Sequence, residues 1–412
     1  STFSNPVISW DRKHYEYPDN PKNIQITQFE NPIIPDGTVH CYRDNGTTFS
    51  VEIEQVHIEE DAAKLVHQKN ESWVDFNKGG VPLIEIVTKP CIKNIQDASI
   101  YAQYIQRIVQ NLGISEANLE KGEFKSDVSV SLRKKGSKDL NARTEIKNLN
   151  SFKFMVEALV EEIEKQLAYF TEKNVFRPDQ TTVLFDAELK QTKVMRKKEY
   201  AADYRFIREP DIPLVNITKE IENISVDTNS LPFAIETNLI NGGIAPQEAK
   251  FFTYDAARSS VFTALNNQIK DVSFVAKTLN NTLKADDYSK IPNPKTLVEM
   301  FELFKQEKIT MVLLKNAVQE ILADSTFDYK KYFDENTVSE ATIQETIDLA
   351  LKNSPKIVEA IAAGDQGKIG AIVGKVIKEL GKGASGQVVR EKIITSLGNT
   401  NKDVFEKEEL EL

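Results

Sequence analysis

The sequence predicts an α+β chain, with strands and helices mixed in the first half and helices alone in the remainder. Three observations carry this expectation. Strand-like alternation recurs early, in "TTFSVEIEQVHIEED", "SDVSVSL" and "ARTEIKN". After about residue 220 the apolar residues repeat at helical spacing, from "QEAKFFTYDAARSSVFTALNNQI" to "KIGAIVGKVIKELGKGASGQVVREKIITSL". The Pro-rich stretch "REPDIPLVNI" lies where the rhythm changes and suits a boundary. At 412 residues the chain exceeds one ordinary core. The expected division is 1–220, 221–340 and 341–412.

Taken in order, "TTFSVEIEQVHIEED" alternates with a slip: Val51 and Ile53 share one parity, Val56 and Ile58 the other. A slip of one residue is what a β-bulge produces. In "KGGVPLIEIVTKP", Val81, Leu83, Ile84, Ile86 and Val87 make a run apolar on both faces, which predicts a strand covered on both sides. Glu85 sits inside that run, and desolvating a lone carboxylate costs several kcal/mol. A helix is expected through "DASIYAQYIQRIVQNLG", with its stripe on Tyr101, Tyr104, Ile105, Ile108 and Leu112 and its stop at Gly113. "SDVSVSL" places Val128, Val130 and Leu132 opposite Asp127, Ser129 and Ser131. "ARTEIKN" places Arg143, Glu145 and Lys147 opposite Thr144 and Ile146. A second helix follows through "NSFKFMVEALVEEIEKQL", with Asn150 or Ser151 as its N-cap and Phe152, Val156, Leu159, Ile163 and Leu167 as its stripe.

Composition narrows the function classes. Hydrophobic residues make up 40% and charged residues 28%, the profile of a globular protein. No stretch approaches the roughly 18 apolar residues of a membrane span. A net charge of −10 argues against sequence-independent coating of nucleic acid, though not against a local basic patch. Cys41 and Cys91 cannot make a zinc cluster, and the four histidines lack zinc-site spacing, so no zinc is expected.

The charged strands suggest chemistry. Glu60 continues the row of Val56 and Ile58, and Glu85 that of Leu83 and Val87. If these strands joined those of Asp127 and Glu145 in one sheet, one face would carry four carboxylates framed by Arg143 and Lys147. Clustered carboxylates repel unless a cation sits among them. Oxygen-only ligands suit Mg2+ or Ca2+ rather than zinc, and Mg2+ with nearby basic residues is the apparatus of phosphoryl transfer. Ordinary salt bridges to Arg143, Lys147 or Lys13 are the plainer alternative. In "EIKNLNSF" a strand enters a helix through Asn148, Asn150 and Ser151, so helix N–H donors beside Lys147 would suit a phosphate; a plain N-cap fits equally well.

Two basic segments stand out. "MRKKEYAADYRFIREPD" groups Arg196, Lys197 and Lys198 before Tyr204, Arg205 and Arg208, a mixture that suits a nucleotide or nucleic-acid end, although a solvated loop is the commoner meaning of such a run. Between Gln366 and Ile393, six positives that include Lys375, Lys378, Lys382 and Arg390 face two negatives, which suits phosphate-backbone contact and equally a plain surface helix pair. Neither a Walker loop nor a G-x-S-x-G elbow occurs.

Together these motifs resemble the B subunit of the tRNA-dependent amidotransferases, the GatB family. The resemblance runs through "DRKHYEYPDNPKNIQITQFENPI", "HIEEDAAKLVH", "VDFNKGGVPLIEIVTKP", "GEFKSDVSVSLRKKG", "TEIKNLNSF", "VMRKKEYAADYRFIREPDIP" and "AIVGKVIKELGKGASGQVV". It implies a synthetase-like cradle domain with an antiparallel sheet, then a helical domain and a tail that binds tRNA. It further implies ATP-dependent, Mg2+-dependent phosphorylation of the glutamate on Glu-tRNA(Gln). Ammonia channelled from the amidase, the A component of a heterotrimer completed by a small accessory protein, would then displace the phosphate. On this reading Glu60 and Glu85 hold the metal, and Lys13 and Glu60 stand at the tunnel mouth. Asp127, Glu145, Lys147 and Asn148 line the pocket for the aminoacyl end and ATP, with Arg143, Asn150, Ser151 and Arg205 also expected at substrate or ATP. Lys375, Lys378, Lys382 and Arg390 are expected at tRNA.

Departures accompany the resemblance. The family's N-terminal G-L-E-x-H stretch is not in this sequence, so the N-terminus is expected to be incomplete. Arg208, Cys91 and Lys78 stand where the family usually has Pro, Asp and Arg. These departures suggest a divergent member, expected in the mitochondrial matrix, with a bacterial cytoplasm as the alternative. A docking role without catalysis is the competing functional expectation.

Overall fold

The structure is a computed structural model that describes residues 6–198, 204–363 and 365–408. Within that range the side chains of residues 148, 196–198, 366 and 398–408 lie outside the described set, among them those of Asn148, Arg196, Lys197 and Lys198. The chain falls into two compact units. One comprises residues 1–240 and 245–256, the other 241–244 and 257–412. The described strands lie in the first unit and the second is helical, so the α+β expectation holds.

The first unit is built from several small sheets rather than one large one. Thr48–Glu60 is the central strand of a three-stranded sheet, between Gly37–Tyr42 and Pro82–Thr88. Its register shifts between Ile53 and Gln55, where the parity slip predicted a bulge. Asp11–His14 pairs with Ile24–Thr27 on one side and Ile207–Arg208 on the other.

A separate four-stranded sheet runs in the order Gln191–Lys198, Gln180–Asp186, Thr144–Leu149, Ser126–Val130. It is not wholly antiparallel as expected, because Thr144–Leu149 and Gln180–Asp186 run parallel. A parallel pair needs a crossover, and the helix Phe152–Lys173 supplies it. That helix covers the sheet through Met155, Ala158 and Leu159, against Ile146, Leu149, Val183 and Phe185. Of the expected stripe, Leu159 is buried and Phe152 packs on this core, but Leu167 is exposed, and Glu162 and Gln166 are buried as well. Both are satisfied by hydrogen bonds. Arg177 donates to Glu162 at 2.8 Å, Thr144 Oγ1 donates to it at 3.1 Å, and Gln166 donates to the Val130 carbonyl at 3.1 Å.

Helix Ile95–Asn111 begins at Asn94, whose side chain accepts from Gln96 N, and is followed by Gly113 at φ +67°. Its buried Arg107 donates to Glu236 Oε1 and Thr253 Oγ1, both at 2.7 Å, while Tyr104 donates to Glu236 Oε2. This network ties Pro232–Asn241 and the turn after Pro246–Phe252 to the first helix.

In the second unit, helices Val272–Thr282, Pro294–Lys305 and Met311–Ala323 bury Leu279, Met300, Phe301, Leu313 and Leu314. The last helices bury their own cluster of Ile343, Ile347, Ile369, Ile372, Val376, Val389 and Ile393. Among the described residues, no helix is long and apolar enough to cross a membrane.

Candidate functional site

The strand Pro82–Thr88 lies at the edge of its sheet, paired on one side only. Glu85 is therefore not enclosed as its apolar neighbours suggested; its side chain is 48% exposed. The register sets it opposite His57. His57 Nε2 lies 3.3 Å from Glu85 Oε2 and 3.8 Å from Glu59 Oε2. His57 and Glu59 share parity, so one strand presents both to the same side. Glu59 also accepts from Thr27 Oγ1 at 3.1 Å and faces Lys13 Nζ at 4.0 Å.

Burial opposes a positive charge on His57, yet the carboxylates of Glu59 and Glu85 outweigh it and raise its pKa to about 9. In return, His57 holds the Glu85 carboxyl below its ordinary range. One ligand atom from each of His57, Glu59 and Glu85 lies within 4.8 Å of the others, a spacing that fits a cation. The donor set is one imidazole and two carboxylates rather than oxygen alone. An ion bound there displaces the His57 proton, since only a neutral imidazole is a ligand, and the two carboxylates suit Mg2+ or Mn2+.

Glu60 faces elsewhere. Its Oε1 accepts from Ile26 N at 2.9 Å and from Lys22 Nζ. Alternation along Thr48–Glu60 puts it on the side opposite His57 and Glu59, so it does not join Glu85 or Lys13. Where Glu60 was expected beside Glu85 and Lys13, the structure brings Glu59.

The remaining carboxylates form a second cluster on a different sheet, so the expected single face with four carboxylates does not exist. Lys147 Nζ bridges Asp127 Oδ2 at 2.8 Å and Glu145 Oε1 at 3.5 Å. Burial opposes the Lys147 ammonium, but Asp127 and Glu145 more than compensate and its pKa rises. Arg143 is exposed just ahead of this strand, and its carbonyl accepts from Thr181 N at 3.2 Å. Ser151 is a helix cap, its Oγ accepting from Phe154 N at 3.1 Å, with Asn150 exposed beside it. One of the helix N–H donors expected at phosphate is thus already taken. The Asn148 side chain lies outside the described residues.

Residues 3–223 match the model of the GatB/GatE catalytic domain, and 260–397 match that of the GatB domain. The chain belongs to the GatB family. It is 32% identical over 407 residues to a protein of Clostridium novyi (strain NT) named as the B subunit of an aspartyl/glutamyl-tRNA(Asn/Gln) amidotransferase, with 95% of this chain and 85% of that one covered. A protein of the same name from Clostridium botulinum (strain Eklund 17B / Type B) is 33% identical over 402 residues, covering 93% and 83%. Another, from Mycoplasmopsis synoviae (strain 53), is 32% identical over 400 residues, covering 95% and 83%. These relatives are bacterial and lend no support to the expected mitochondrial member.

Elsewhere in this GatB-family chain, Arg205 is exposed with φ +45°, and its carbonyl accepts from His14 Nδ1 at 3.0 Å. Lys375, Lys378, Lys382 and Arg390 are all exposed, on the helix Ile369–Leu380, the turn after it and the start of Gly386–Glu408. Lys375 donates to Ser354 Oγ at 2.8 Å, so that ammonium has a partner already. Sequence reasoning missed His57 and Glu59. The signal was H-x-E within one strand, two residues apart and hence on one face.

Proposed function

We propose that this chain is the catalytic B component of a tRNA-dependent amidotransferase that converts Glu-tRNA(Gln) to Gln-tRNA(Gln). The carrying observation is the convergence of His57, Glu59, Glu85 and Lys13 inside the segment that matches the GatB/GatE catalytic domain. The reaction has two parts. The side-chain carboxylate of the tRNA-bound glutamate attacks the γ-phosphorus of ATP, forming an acyl phosphate and releasing ADP. Ammonia then attacks the acyl carbon, the C–N bond forms, and inorganic phosphate leaves.

His57, Glu59 and Glu85 would hold Mg2+, which neutralises charge on the phosphates when bound. Lys13 and Glu59 form a cation and carboxylate pair beside that set. Lys13 would stabilise the negative charge of the departing phosphate, which carries away the proton that ammonia sheds. The Lys147 cluster with Asp127 and Glu145 is an ion-paired surface suited to the charged aminoacyl end. The exposed Lys378, Lys382 and Arg390 supply positive charge for the tRNA backbone. The ammonia would come from glutamine through an amidase partner, with a small accessory protein completing the complex.

The test follows ADP release by the purified complex, with Mg2+, with and without Glu-tRNA(Gln). ADP that forms only with the misacylated tRNA, and is reduced at least a hundredfold in Glu85→Gln, supports the proposal. Unchanged release in Glu85→Gln would remove Glu85 from the site. Tight tRNA binding without ADP release in the wild type would leave a docking role instead.

A further inference from the structure

Phe29 and Phe206 lie face to face, with ring centroids 4.3 Å apart and planes 4° from parallel. Phe206 covers one face of the Phe29 ring, yet Phe29 remains 54% exposed. Tyr204 meets Phe206 edge-on at 6.0 Å, and Lys13 Nζ stands 5.0 Å above the Tyr204 ring. Lys13 in turn reaches Glu59. A row of rings thus leads from an exposed aromatic face to the ion cluster.

The surroundings hold this row firmly. Asp11, buried at 3% exposure, accepts from Phe29 N at 2.7 Å and from Glu30 N at 3.3 Å, which fixes the turn that carries Phe29. Arg12 forks onto Glu209 with two bonds of 2.8 Å, pinning the strand that follows Phe206. His14 N donates to the Tyr204 carbonyl at 2.9 Å. Arg205, between the two rings, holds φ at +45°, a left-handed conformation that non-glycine residues adopt only where neighbours enforce it. A fixed aromatic face that gives up burial is arranged to receive something flat.

We infer that the Phe29 ring, backed by Phe206, stacks a purine base of a substrate: the adenine of ATP or the 3′-terminal adenosine of tRNA. The inference rests on the proposed function for the identity of these ligands. Stacking suits an unpaired base because its flat face needs no hydrogen-bond match.

The experiment measures binding to the purified complex by titration calorimetry, first with ATP and then with a short RNA ending in CCA. Wild type is compared with Phe29→Leu, which keeps apolar bulk without a flat ring, and Phe29→Trp, which restores one. Phe29→Leu is expected to weaken one of the two ligands about tenfold, with Phe29→Trp near wild type. Weakening of ATP assigns the nucleotide's base to the ring; weakening of the RNA assigns the terminal adenosine. Equal affinities in wild type and Phe29→Leu would overturn the inference, as would a loss that Phe29→Trp fails to rescue, or a wild type that binds neither ligand. Binding is read without turnover. A complex that binds through Phe29 yet releases no ADP would sink the phosphoryl-transfer reading and leave the stacking site standing.

Discussion

Glu59 and Glu60 are adjacent in sequence and serve different neighbourhoods: Glu59 Oε2 faces Lys13 Nζ at 4.0 Å, while Glu60 Oε1 accepts from Ile26 N at 2.9 Å. The alternation of a strand makes this unavoidable, since successive side chains leave opposite faces. Which carboxylate joins His57 and Glu85 is therefore decided by register, and register selects Glu59.

The buried pair of Arg107 and Glu236 gives a stability prediction. Glu236 is fully buried, and Arg107 is its cationic partner at 2.7 Å. Arg107→Met would strand a carboxylate away from water, a loss on the order of 3–5 kcal/mol. Chemical denaturation should show a clear drop in midpoint. A change under about 1 kcal/mol would mean that Tyr104 and Thr253 suffice for that carboxylate.

Gly383 makes a second prediction. A Cβ there would lie too close to the Asn336 carbonyl oxygen, at 2.3 Å, and the turn is further held by Thr310 Oγ1 donating to the Lys382 carbonyl at 2.8 Å. Backbone cannot give way cheaply, so Gly383→Ala should destabilise the second unit by about 1–3 kcal/mol. Gly370→Ala, in the helix Ile369–Leu380 with nothing within 4 Å, is the control and should be neutral to stabilising by up to about 1 kcal/mol in thermal melts.

A pH prediction comes from Asp271. It caps the helix Val272–Thr282 by accepting from Phe274 N at 3.0 Å and pairs with Lys305 Nζ at 3.0 Å. The backbone bond first, then Lys305, hold its carboxyl below the ordinary range. A carboxyl lowered in the folded state adds stability above its unfolded pKa, about 4, and loses it as pH falls through the folded value. Asp271→Asn keeps a cap but not the charge. Its melting temperature should fall below wild type at pH 7, and the gap should close as pH drops below about 3. A constant gap across that range would contradict the assignment.

Much of the fold was legible because periodicity is local. The parity slip between Ile53 and Val56 marked the bulge, and Ser151 marked a helix start. What was not legible depended on pairing between distant segments. An apolar run such as Pro82–Thr88 reads alike in a central or an edge strand, and only the sheet order shows Glu85 half exposed. The separation of Asp127 and Glu145 from Glu85 likewise depends on which strands pair. In Phe152–Lys173 the expected stripe holds at Leu159 and fails at Leu167, because Glu162 and Gln166 are buried by polar partners that lie elsewhere in the chain. The H-x-E of His57 and Glu59 was the legible signal left unused, because the apolar row of Val56 and Ile58 drew attention to Glu60 instead.

The most direct measurement compares ADP release by the complex carrying Glu59→Gln with that carrying Glu60→Gln, at saturating ATP, Mg2+ and Glu-tRNA(Gln). With the His57, Glu59 and Glu85 set as the reaction centre, Glu59→Gln should lower the rate at least about a hundredfold, and Glu60→Gln should stay within about fivefold of wild type. The reverse order would contradict the register-based assignment and return Glu60 to the centre. Two variants both near wild type would place the chemistry outside this cluster.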